Sequence, residues 1–293
     1  MKRSRGDVIF DTVNYSLVSV FFLLILYPLY FILIASISNP DFVNTGTITF
    51  LPRGITLEGY ARTFRESNVW RGYRNTILYT TVGTTINVLL TMTAGYALSR
   101  KELAGRSVIM RLIVFTMLFS GGLIPTYLIV KGLGMTNKIW AMVIPNAVSA
   151  WNLIIARTYL QQSIPQELLE AALVDGCSYT RFFSAVVVPL SGAIIAVLAL
   201  LYSVAHWNSF FTGLIYLQDY SKYPLQLVLR DILLGYQASS GATDDAKTLQ
   251  EMQRIADLMK YALILVASLP VMVLYPFLQR YFVKGVMIGA IKG

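Results

Sequence analysis

Residues 17–34 read LVSVFFLLILYPLYFILI and contain no charged side chain. A helix that crosses a hydrocarbon core of about 30 Å needs about 20 mostly apolar residues, because its backbone polar groups must all be bonded internally. Including this stretch, the chain has six long apolar runs. They are residues 12–40, 75–99, 112–130, 139–156, 182–218 and 261–279. The sequence therefore predicts an all-α membrane protein with six transmembrane helices.

The composition agrees with a membrane protein. The chain has 293 residues, of which 56% are hydrophobic and 13% are charged, whereas a soluble domain has about 25% charged residues. The basic start of the chain resembles the beginning of a signal peptide, but the apolar stretch that follows is too long for one. An uncleaved first span is therefore the favoured interpretation.

The distribution of Lys and Arg indicates the orientation of the chain. With a cytoplasmic N-terminus, the 24 basic residues divide equally between the two sides, but those inside lie in shorter segments. This density predicts that both termini are cytoplasmic. The net charge of +9 is attributed to contact with anionic membrane lipid, because the sequence has no basic stripe or recognition helix typical of nucleic-acid binding.

The domain organisation follows from the long polar segment after the first run. Residues 1–74 are predicted to contain the N-terminal cytoplasmic tail, the first transmembrane helix and an outer loop. Residues 75–293 are predicted to form a core domain with the other five spans. No Pro, Gly and Ser-rich linker divides the core further.

A search for catalytic groups finds little. The chain has one histidine, His206, one cysteine, Cys177, and no Gly-Lys dipeptide, so a phosphate-binding loop of the Walker type is absent. Neither a zinc-protease motif nor a multi-cysteine metal site is present. We therefore expect no catalytic residue, no metal site and no cofactor in this chain.

Several polar and aromatic residues near span ends are candidates to line a translocation path: Trp151, Asn152, His206, Trp207 and Asn208. Each has an alternative interpretation. Aromatic and amide residues near span ends also anchor a helix at the membrane interface, and a lone histidine hydrogen-bonded between helices is the favoured interpretation of His206. The second run carries a stripe at residues 76, 80, 84, 87 and 91, for which helix packing is favoured over a hydrated pathway.

Residues 163–176, SIPQELLEAALVDG, lie between the fourth and fifth runs and predict a short amphipathic helix. Pro165 suits a first turn, Glu167 and Glu170 suit the positive end of the helix dipole, and Gly176 suits the helix end. One apolar face is predicted from Leu168, Leu169, Ala172 and Leu173. A rigid helix between two spans can transmit motion from a docked protein into the membrane.

The same segment carries a specific motif. Glu170-Ala171-Ala172, three residues, Gly176, nine residues and then VVVP at residues 186–189 resemble the EAA loop of ABC importer permeases, E-A-A-x3-G-x9-I-x-L-P. Four further segments are similar to carbohydrate permeases of the maltose-permease class, and look closest to the branch for complex oligosaccharides derived from polysaccharides. They are SGGLIPTY at 120–127, HWN at 206–208, YPLQ at 223–226 and RYFVKG at 280–285.

The resemblance implies the type I importer fold and a role as the transmembrane permease subunit of an ATP-driven importer of a carbohydrate in the bacterial cytoplasmic membrane. It implies a second, homologous permease as heterodimer partner, two ATPase subunits that bind ATP and Mg, and an extracytoplasmic solute-binding protein. The EAA loop, residues 163–189, is then the coupling loop, and the residues that would dock on the ATPase are Glu170, Ala171, Ala172, Asp175 and Gly176.

The same resemblance leads to expectations for two further segments. The C-terminal Lys292 and Gly293 are expected to reach toward the ATPase dimer, as the tail does in the maltose system. Residues 235–248 correspond in position to an outer loop of the maltose system that enters the binding protein, and the resemblance implies the same role for them. A plain surface loop is an equally good interpretation of that stretch.

Two alternatives belong to other functional classes. An ion-coupled secondary transporter needs ionisable groups near the membrane midplane and inverted repeats, and the runs contain almost no carboxylates. An intramembrane enzyme of cell-envelope sugars needs clustered acidic or histidine residues at one membrane face. Glu167, Glu170 and Asp175 are such residues, but their spacing is that of a docking helix and they have no metal-ligand partner.

Overall fold

The computed structural model of the chain describes residues 4–240, 251 and 253–273, which contain helices, turns and loops but no β-strand. In chain order the helices are α1 (Arg5–Ser36), α2 (Pro40–Asn44), α3 (Glu58–Arg65), α4 (Ser67–Ser99), α5 (Arg106–Leu118), α6 (Leu123–Gly132), α7 (Ile139–Val143), α8 (Ala150–Ser163), α9 (Gln166–Val174), α10 (Tyr179–Leu190), α11 (Gly192–Trp207), α12 (Phe210–Tyr216), α13 (Leu225–Ser240) and α14 (Gln253–Val273). This confirms the all-α fold class.

Three helices are long and apolar enough to cross a membrane on their own: α1, α4 and α14. Two pairs qualify only when each pair is taken as one bent span. The pair α5 and α6 bends by 115°, and the pair α10 and α11 bends by 80°. Among the described residues the count is therefore three spans, or five with both bent pairs included.

The fourth predicted run, residues 139–156, does not form one continuous helix. Helix α7 ends at Val143 and α8 begins at Ala150, with residues 144–149 outside both. Pro145 lies in this break, where it has no N–H to continue a helical ladder. Ser149 then starts α8, its Oγ accepting a hydrogen bond from the Asn152 amide at 3.4 Å.

The first helix is fixed at its start and exposed along its length. Ser4 Oγ accepts from the Gly6 amide at 3.2 Å, and the Asp7 carboxylate accepts from the Ser4 amide at 3.0 Å, forming a capping box. Of its most apolar 18-residue stretch, only 6% is buried within the chain. A helix that is apolar on all sides and uncovered requires an apolar environment such as lipid or another subunit.

The described residues fall into two compact units. One comprises Met1–Val69 with Leu229–Leu269. Within it, Gly59 of α3 packs so closely on the Leu258 carbonyl of α14 that a Cβ at this position would collide with that backbone oxygen. Asn44 Nδ2 also donates to Asp257 Oδ2 at 2.7 Å. The segment between α1 and α4 is thus packed on α14.

The other unit comprises Trp70–Val228 with Pro270–Gly293, of which residues 270–273 are described. Its largest apolar core joins α4, α8, α9, α10 and α11. The buried members are Met92, Tyr96, Ala156, Leu160, Ile164, Leu169, Phe182, Val187, Ile194, Leu198 and Tyr202. Helix α4 approaches α8 closely at Gly95, where an added Cβ would lie 3.2 Å from the Ala156 Cβ.

Candidate functional site

The helix that carries the motif is α9, and its end is built by a glycine. Gly176 has φ +75°, a left-handed conformation that other residues rarely adopt. The Gly176 amide donates to the Leu173 carbonyl at 3.0 Å, and the Cys177 amide donates to the Ala172 carbonyl at 2.8 Å. These two bonds form a Schellman motif. Gly176 therefore ends the helix sharply, as its position in the sequence predicts.

The side chains on the apolar face of α9 are buried to different extents. Leu169 is buried and Ala172 is half-buried, whereas Leu168, Leu173 and Val174 are exposed at 42%, 38% and 88%. A helix of nine residues that contacts the core along one side buries only the narrow stripe at i and i+3. The four apolar residues share one side of the helix as predicted, but only Leu169 is fully buried, so the exposed surface of α9 is partly apolar.

The predicted docking residues lie together on this short segment. Glu170, Ala171, Asp175 and Gly176 are exposed, and Ala172 is half-buried. Exposed carboxylates beside exposed Leu and Val side chains form a surface that is both acidic and apolar. Such a mixed patch is typical of a protein-binding surface, in which an apolar centre is bordered by polar groups.

The segment that leaves α9 is rigidly connected to the membrane helices. Ser178 caps α10, its Oγ accepting from the Arg181 amide at 3.3 Å. Residues 183–187 form a π-helical turn before Pro189, which removes one backbone donor. Phe182 and Val187 are buried in the same core as Leu169. Packed side chains therefore join α9 to the helices that follow it.

We expect Gly176→Val to loosen the end of α9. A left-handed conformation costs a residue with a Cβ about 1–2 kcal/mol, so amide exchange at Gly176 and Cys177 should accelerate about five- to thirtyfold if the motif opens locally. Hydrogen exchange of the membrane-inserted protein measures this. Gly176→Asn is the matched control with a smaller effect, since Asn tolerates this conformation. Equal protection in Gly176→Val and in the original protein would contradict the structural role of this glycine.

A polar cavity of about 300 Å³ lies within the second unit. Its wall is formed by helices α4, α7, α8, α11 and α12 and by the break between α7 and α8. The lining residues are Asn87, Met142, Asn146, Ser149, Asn152, Leu201, Tyr202, Ala205, His206 and Thr212. A second cavity, of about 350 Å³, shares Asn146 and Thr212 with the first and extends toward residues 120–123 between α5 and α6.

The break between α7 and α8 is held by side chains of neighbouring helices. Asn87 Nδ2 donates to the Asn146 carbonyl at 3.3 Å, and the Ser149 amide donates to the Tyr202 hydroxyl at 3.1 Å. Tyr202 Oη also lies 2.7 Å from Thr91 Oγ1. Non-helical backbone at membrane depth occurs only where protein buries it or where it lines a water-filled cavity. Asn146 and Ser149 of the break line the cavity, and side chains of α4 and α11 hydrogen-bond two of its backbone groups.

Asn87 connects the polar stripe of α4 to the cavity. Its Nδ2 lies 3.3 Å from His206 Nε2, and the His206 ring covers Gly83, where a Cβ would collide with it. Asn87 Oδ1 is buried and has no hydrogen-bond partner within the part of the chain that is described. Thr76, Asn87 and Thr91 are all buried. The predicted packing role of the stripe is therefore seen at these positions, although Asn87 also faces the cavity.

The five predicted path residues do not lie together. Asn152 and His206 are buried and line the cavity. Trp207 packs instead against the Tyr73 ring at 6.2 Å between centroids. Asn208 Nδ2 donates to the Val204 carbonyl of its own helix at 2.9 Å, and Trp151 is 61% exposed.

Some residues that line the cavities could not be recognised from the sequence. Asn146 and Thr212 belong to both cavities, yet neither follows a helical pattern that sets it apart from its neighbours. Asn87 was visible only as one member of the stripe. Within residues 4–240, 251 and 253–273, no cluster of three or more His, Cys, Asp or Glu side chains is placed to hold a metal ion.

Comparison with known proteins gives one family and several relatives. Residues 87–288 match the family described as the binding-protein-dependent transport system inner membrane component. The polygalacturonan/rhamnogalacturonan transport system permease protein YtcP of Bacillus subtilis (strain 168) is 36% identical over 286 residues, which is 97% of this chain and 99% of that protein. Protein LplC of the same organism is 36% identical over 293 residues, covering 100% and 98%.

A solved structure has the same fold. It is the crystal structure of a bacterial ABC transporter involved in the import of the acidic polysaccharide alginate. One of its chains superposes with a TM-score of 0.83 and is 31% identical, covering 96% of this chain and 99% of that one. Similarity therefore extends over nearly the full length in both sequence and structure.

Proposed function

Because the chain belongs to the family of binding-protein-dependent transport system inner membrane components, and is thus a membrane permease of an ABC transporter rather than an enzyme, we propose that it forms one half of an oligosaccharide import pathway. The observation that carries this proposal is the EAA segment. It is folded as a short helix with an exposed acidic and apolar surface and a buried anchor at Leu169.

The substrate class is proposed from two relatives. YtcP is named for polygalacturonan and rhamnogalacturonan, and the solved relative belongs to a transporter involved in the import of the acidic polysaccharide alginate. We propose an oligosaccharide derived from an acidic polysaccharide. The cavity wall itself offers uncharged hydrogen-bonding groups such as Asn146, Asn152 and Tyr202, which suit sugar hydroxyl groups. Selection for the acidic group is then assigned to the solute-binding protein.

The docking residues of the proposed coupling helix are Glu170, Ala171, Ala172, Asp175 and Gly176. The exposed carboxylate of Glu170 would meet the ATPase subunit, beside the apolar contacts of Leu173 and Val174. Gly176 would set the angle at which the chain leaves the helix. Leu169 and Phe182, buried in one core, would carry the movement of the docked helix toward the spans.

The proposed path includes Asn152 and His206, which line the cavity, together with Asn87, Asn146 and Thr212. Alternatively, His206 has a structural role only and packs between α4 and α11. Trp151, Trp207 and Asn208 remain predicted path residues that lie away from the cavity wall. The interrupted pair α7 and α8 is proposed as the sixth span, because an interrupted helix beside a cavity is a recurrent arrangement in transporters.

The proposed assembly places this chain beside a second homologous permease, on two ATPase subunits that bind ATP and Mg, with an extracytoplasmic solute-binding protein. We propose that it lies in the bacterial cytoplasmic membrane with both termini cytoplasmic. Residues 1–74 would supply the N-terminal tail, the first transmembrane helix and an outer loop, and residues 75–293 the core permease domain. The predicted contacts of Lys292 and Gly293 with the ATPase lie outside the described residues, as does the 241–248 part of the predicted outer loop 235–248.

The proposed mechanism is alternating access. Closure of the ATPase dimer would displace α9, and the packed core would convert this displacement into rigid-body rotation of the spans. The cavity would then open to the outside, receive the oligosaccharide from the binding protein and close behind it. The chain contributes docking, transmission and a polar surface for the sugar, while ATP hydrolysis takes place in other subunits.

Affinity purification of the tagged chain from detergent-solubilised native membranes, followed by mass spectrometry, tests the assembly. We expect a second permease of the same family, an ATPase and membrane lipid in the purified material. Binding of oligogalacturonides, compared with neutral oligosaccharides of equal length, to the associated solute-binding protein then tests the substrate class. Recovery of the chain alone or as a homo-oligomer would contradict the proposed assembly.

A further inference from the structure

Two arginines link the C-terminal ends of α4 and α8, and each donates a hydrogen bond to a backbone carbonyl at the end of the opposite helix. Arg157 of α8 donates through Nε to the Leu98 carbonyl in the last turn of α4, at 3.0 Å. Arg100, which follows α4, donates through Nη2 to the Ile164 carbonyl that follows α8, at 3.4 Å. Cations are favourable at helix C-termini, because the last carbonyls are unpaired and the dipole is negative there.

Arg100 is unusual because it is buried and forms no ion pair with an acidic side chain of the described residues. Arg100 is 8% exposed, and its Nε has no hydrogen-bond partner among the described residues. The guanidinium group lies 4.7 Å from the centre of the Tyr96 ring. Burying a cation is costly, and well-packed hydrophobic residues of similar size are often at least as stable in such positions. Packing alone therefore does not account for an arginine here.

The contacts of Arg100 and its neighbours reach both ends of the docking helix α9. Ile164 lies just before α9, and Gln166, the first residue of α9, donates to the Glu102 carboxylate in the same loop as Arg100. On the other side, the Tyr96 ring under Arg100 lies 5.1 Å from the Phe183 ring, in the segment that leaves α9. The entry and the exit of the docking helix are thus both tied to the end of α4.

The packing between α4 and α8 makes this connection stiff. A Cβ on Gly95 would lie 3.3 Å from the Arg157 amide nitrogen, so the two helix backbones are in close contact beside the arginines. Helix α4 also carries Asn87, about 20 Å from Arg100 along the helix axis at 1.5 Å per residue. The end of α4 that holds the docking helix is therefore continuous with the helix that lines the polar cavity.

We infer that Arg100 and Arg157 form a reciprocal clamp that makes the docking helix and α4 move as one body, and that both are positioning residues for coupling. This inference rests on the proposed function. Without the clamp, α9 would still present its docking surface, but part of its displacement would be lost as bending at Ile164 and Phe183 rather than passed to α4.

The test compares Arg100→Met with Arg100→Lys in the complex purified with its own partner subunits. Met removes the donor and keeps an unbranched apolar stem, whereas Lys keeps a cation that can reach a helix-end carbonyl. We expect Arg100→Met to retain the ATPase in the complex while hydrolysis stimulated by the binding protein falls about tenfold. We expect Arg100→Lys to recover part of the stimulation.

A distance measurement separates positioning from a general loss of stability. Spin labels at Ala97→Cys on α4 and Thr180→Cys after α9, in a Cys177→Ser background, report how firmly the two segments are held together. Arg100→Met is expected to broaden the distance distribution, and Arg100→Lys to narrow it again. Arg157→Met tests the other half of the clamp, and is the variant to use if Arg100→Met does not insert.

An unchanged distance distribution and full stimulation in the inserted methionine variants would overturn the clamp. Loss of the ATPase from the Arg100→Met complex would also overturn it, because the arginine would then act on docking itself. If no ATPase accompanies even the unsubstituted chain, the proposed function fails, whereas the spin-label distances still decide whether the clamp holds α9 to α4.

Discussion

Glu170→Arg is expected to remove the ATPase from the purified complex and to abolish ATP-driven uptake, while the chain stays folded and inserted. The Glu170 side chain is exposed and has no hydrogen bond or ion pair with the rest of the described chain, so the exchange should alter the free energy of unfolding by no more than about 0.5 kcal/mol. In a docked interface, breaking one partner of a charged contact costs about 2–5 kcal/mol. Binding of the ATPase should therefore weaken about thirtyfold or more.

Co-purification and uptake in the same preparation measure this effect. Thr180→Arg is the matched control, because it adds the same cation to an exposed position in the same loop but outside α9. The control should retain both the ATPase and uptake. Normal ATPase binding in Glu170→Arg would mean that the acidic surface of α9 is a solvated helix face and not a docking surface.

Thr212→Trp is expected to stop uptake without releasing the ATPase. Thr212 lines both polar cavities, so an indole ring at this position would occupy the space that connects them. The residue is only half-buried, which leaves room for the larger side chain and limits the loss of stability from overpacking. Uptake should fall to the background of vesicles without transporter, and the purified complex should keep its full set of subunits.

The control for this variant lies on the same helix. Leu214 is 43% exposed and belongs to neither cavity wall, so Leu214→Trp introduces the same ring on another side of α12. It should leave uptake close to normal. Equal uptake by Thr212→Trp and Leu214→Trp would show that the sugar passes elsewhere, and the cavity would then be a packing feature of this subunit.

Most of the fold was predictable because the membrane imposes a simple rule on composition. The runs at 12–40 and 75–99 correspond to the long helices α1 and α4, since backbone groups in lipid have to be bonded within the helix. The rule failed at residues 139–156. There Pro145 and the polar residues after it interrupt the helix, and Asn87 and Tyr202 of other helices supply the missing hydrogen bonds. Partners distant in sequence cannot be read from hydropathy.

The two parts of the candidate site, the helix α9 and the cavity, were predictable to different degrees. The helix α9 and its glycine end follow from local chemistry, because Gly176 and the Schellman bonds involve neighbouring residues only. Which residues of the apolar face are buried depends on contact with Phe182 and the membrane helices, so the exposure of Leu168 and Leu173 could not be predicted from the sequence. Asn146 and Thr212 become lining residues only when five helices converge.

The proposed function makes this chain part of an ATP-driven path for an oligosaccharide. Its most direct test is uptake of a radiolabelled oligogalacturonide by proteoliposomes that contain the complex purified through this chain, with its binding protein outside. We expect accumulation that requires ATP inside the proteoliposomes and is unaffected when ion gradients are dissipated. Accumulation that follows an ion gradient without ATP, or that persists when this chain carries Thr212→Trp, would contradict it.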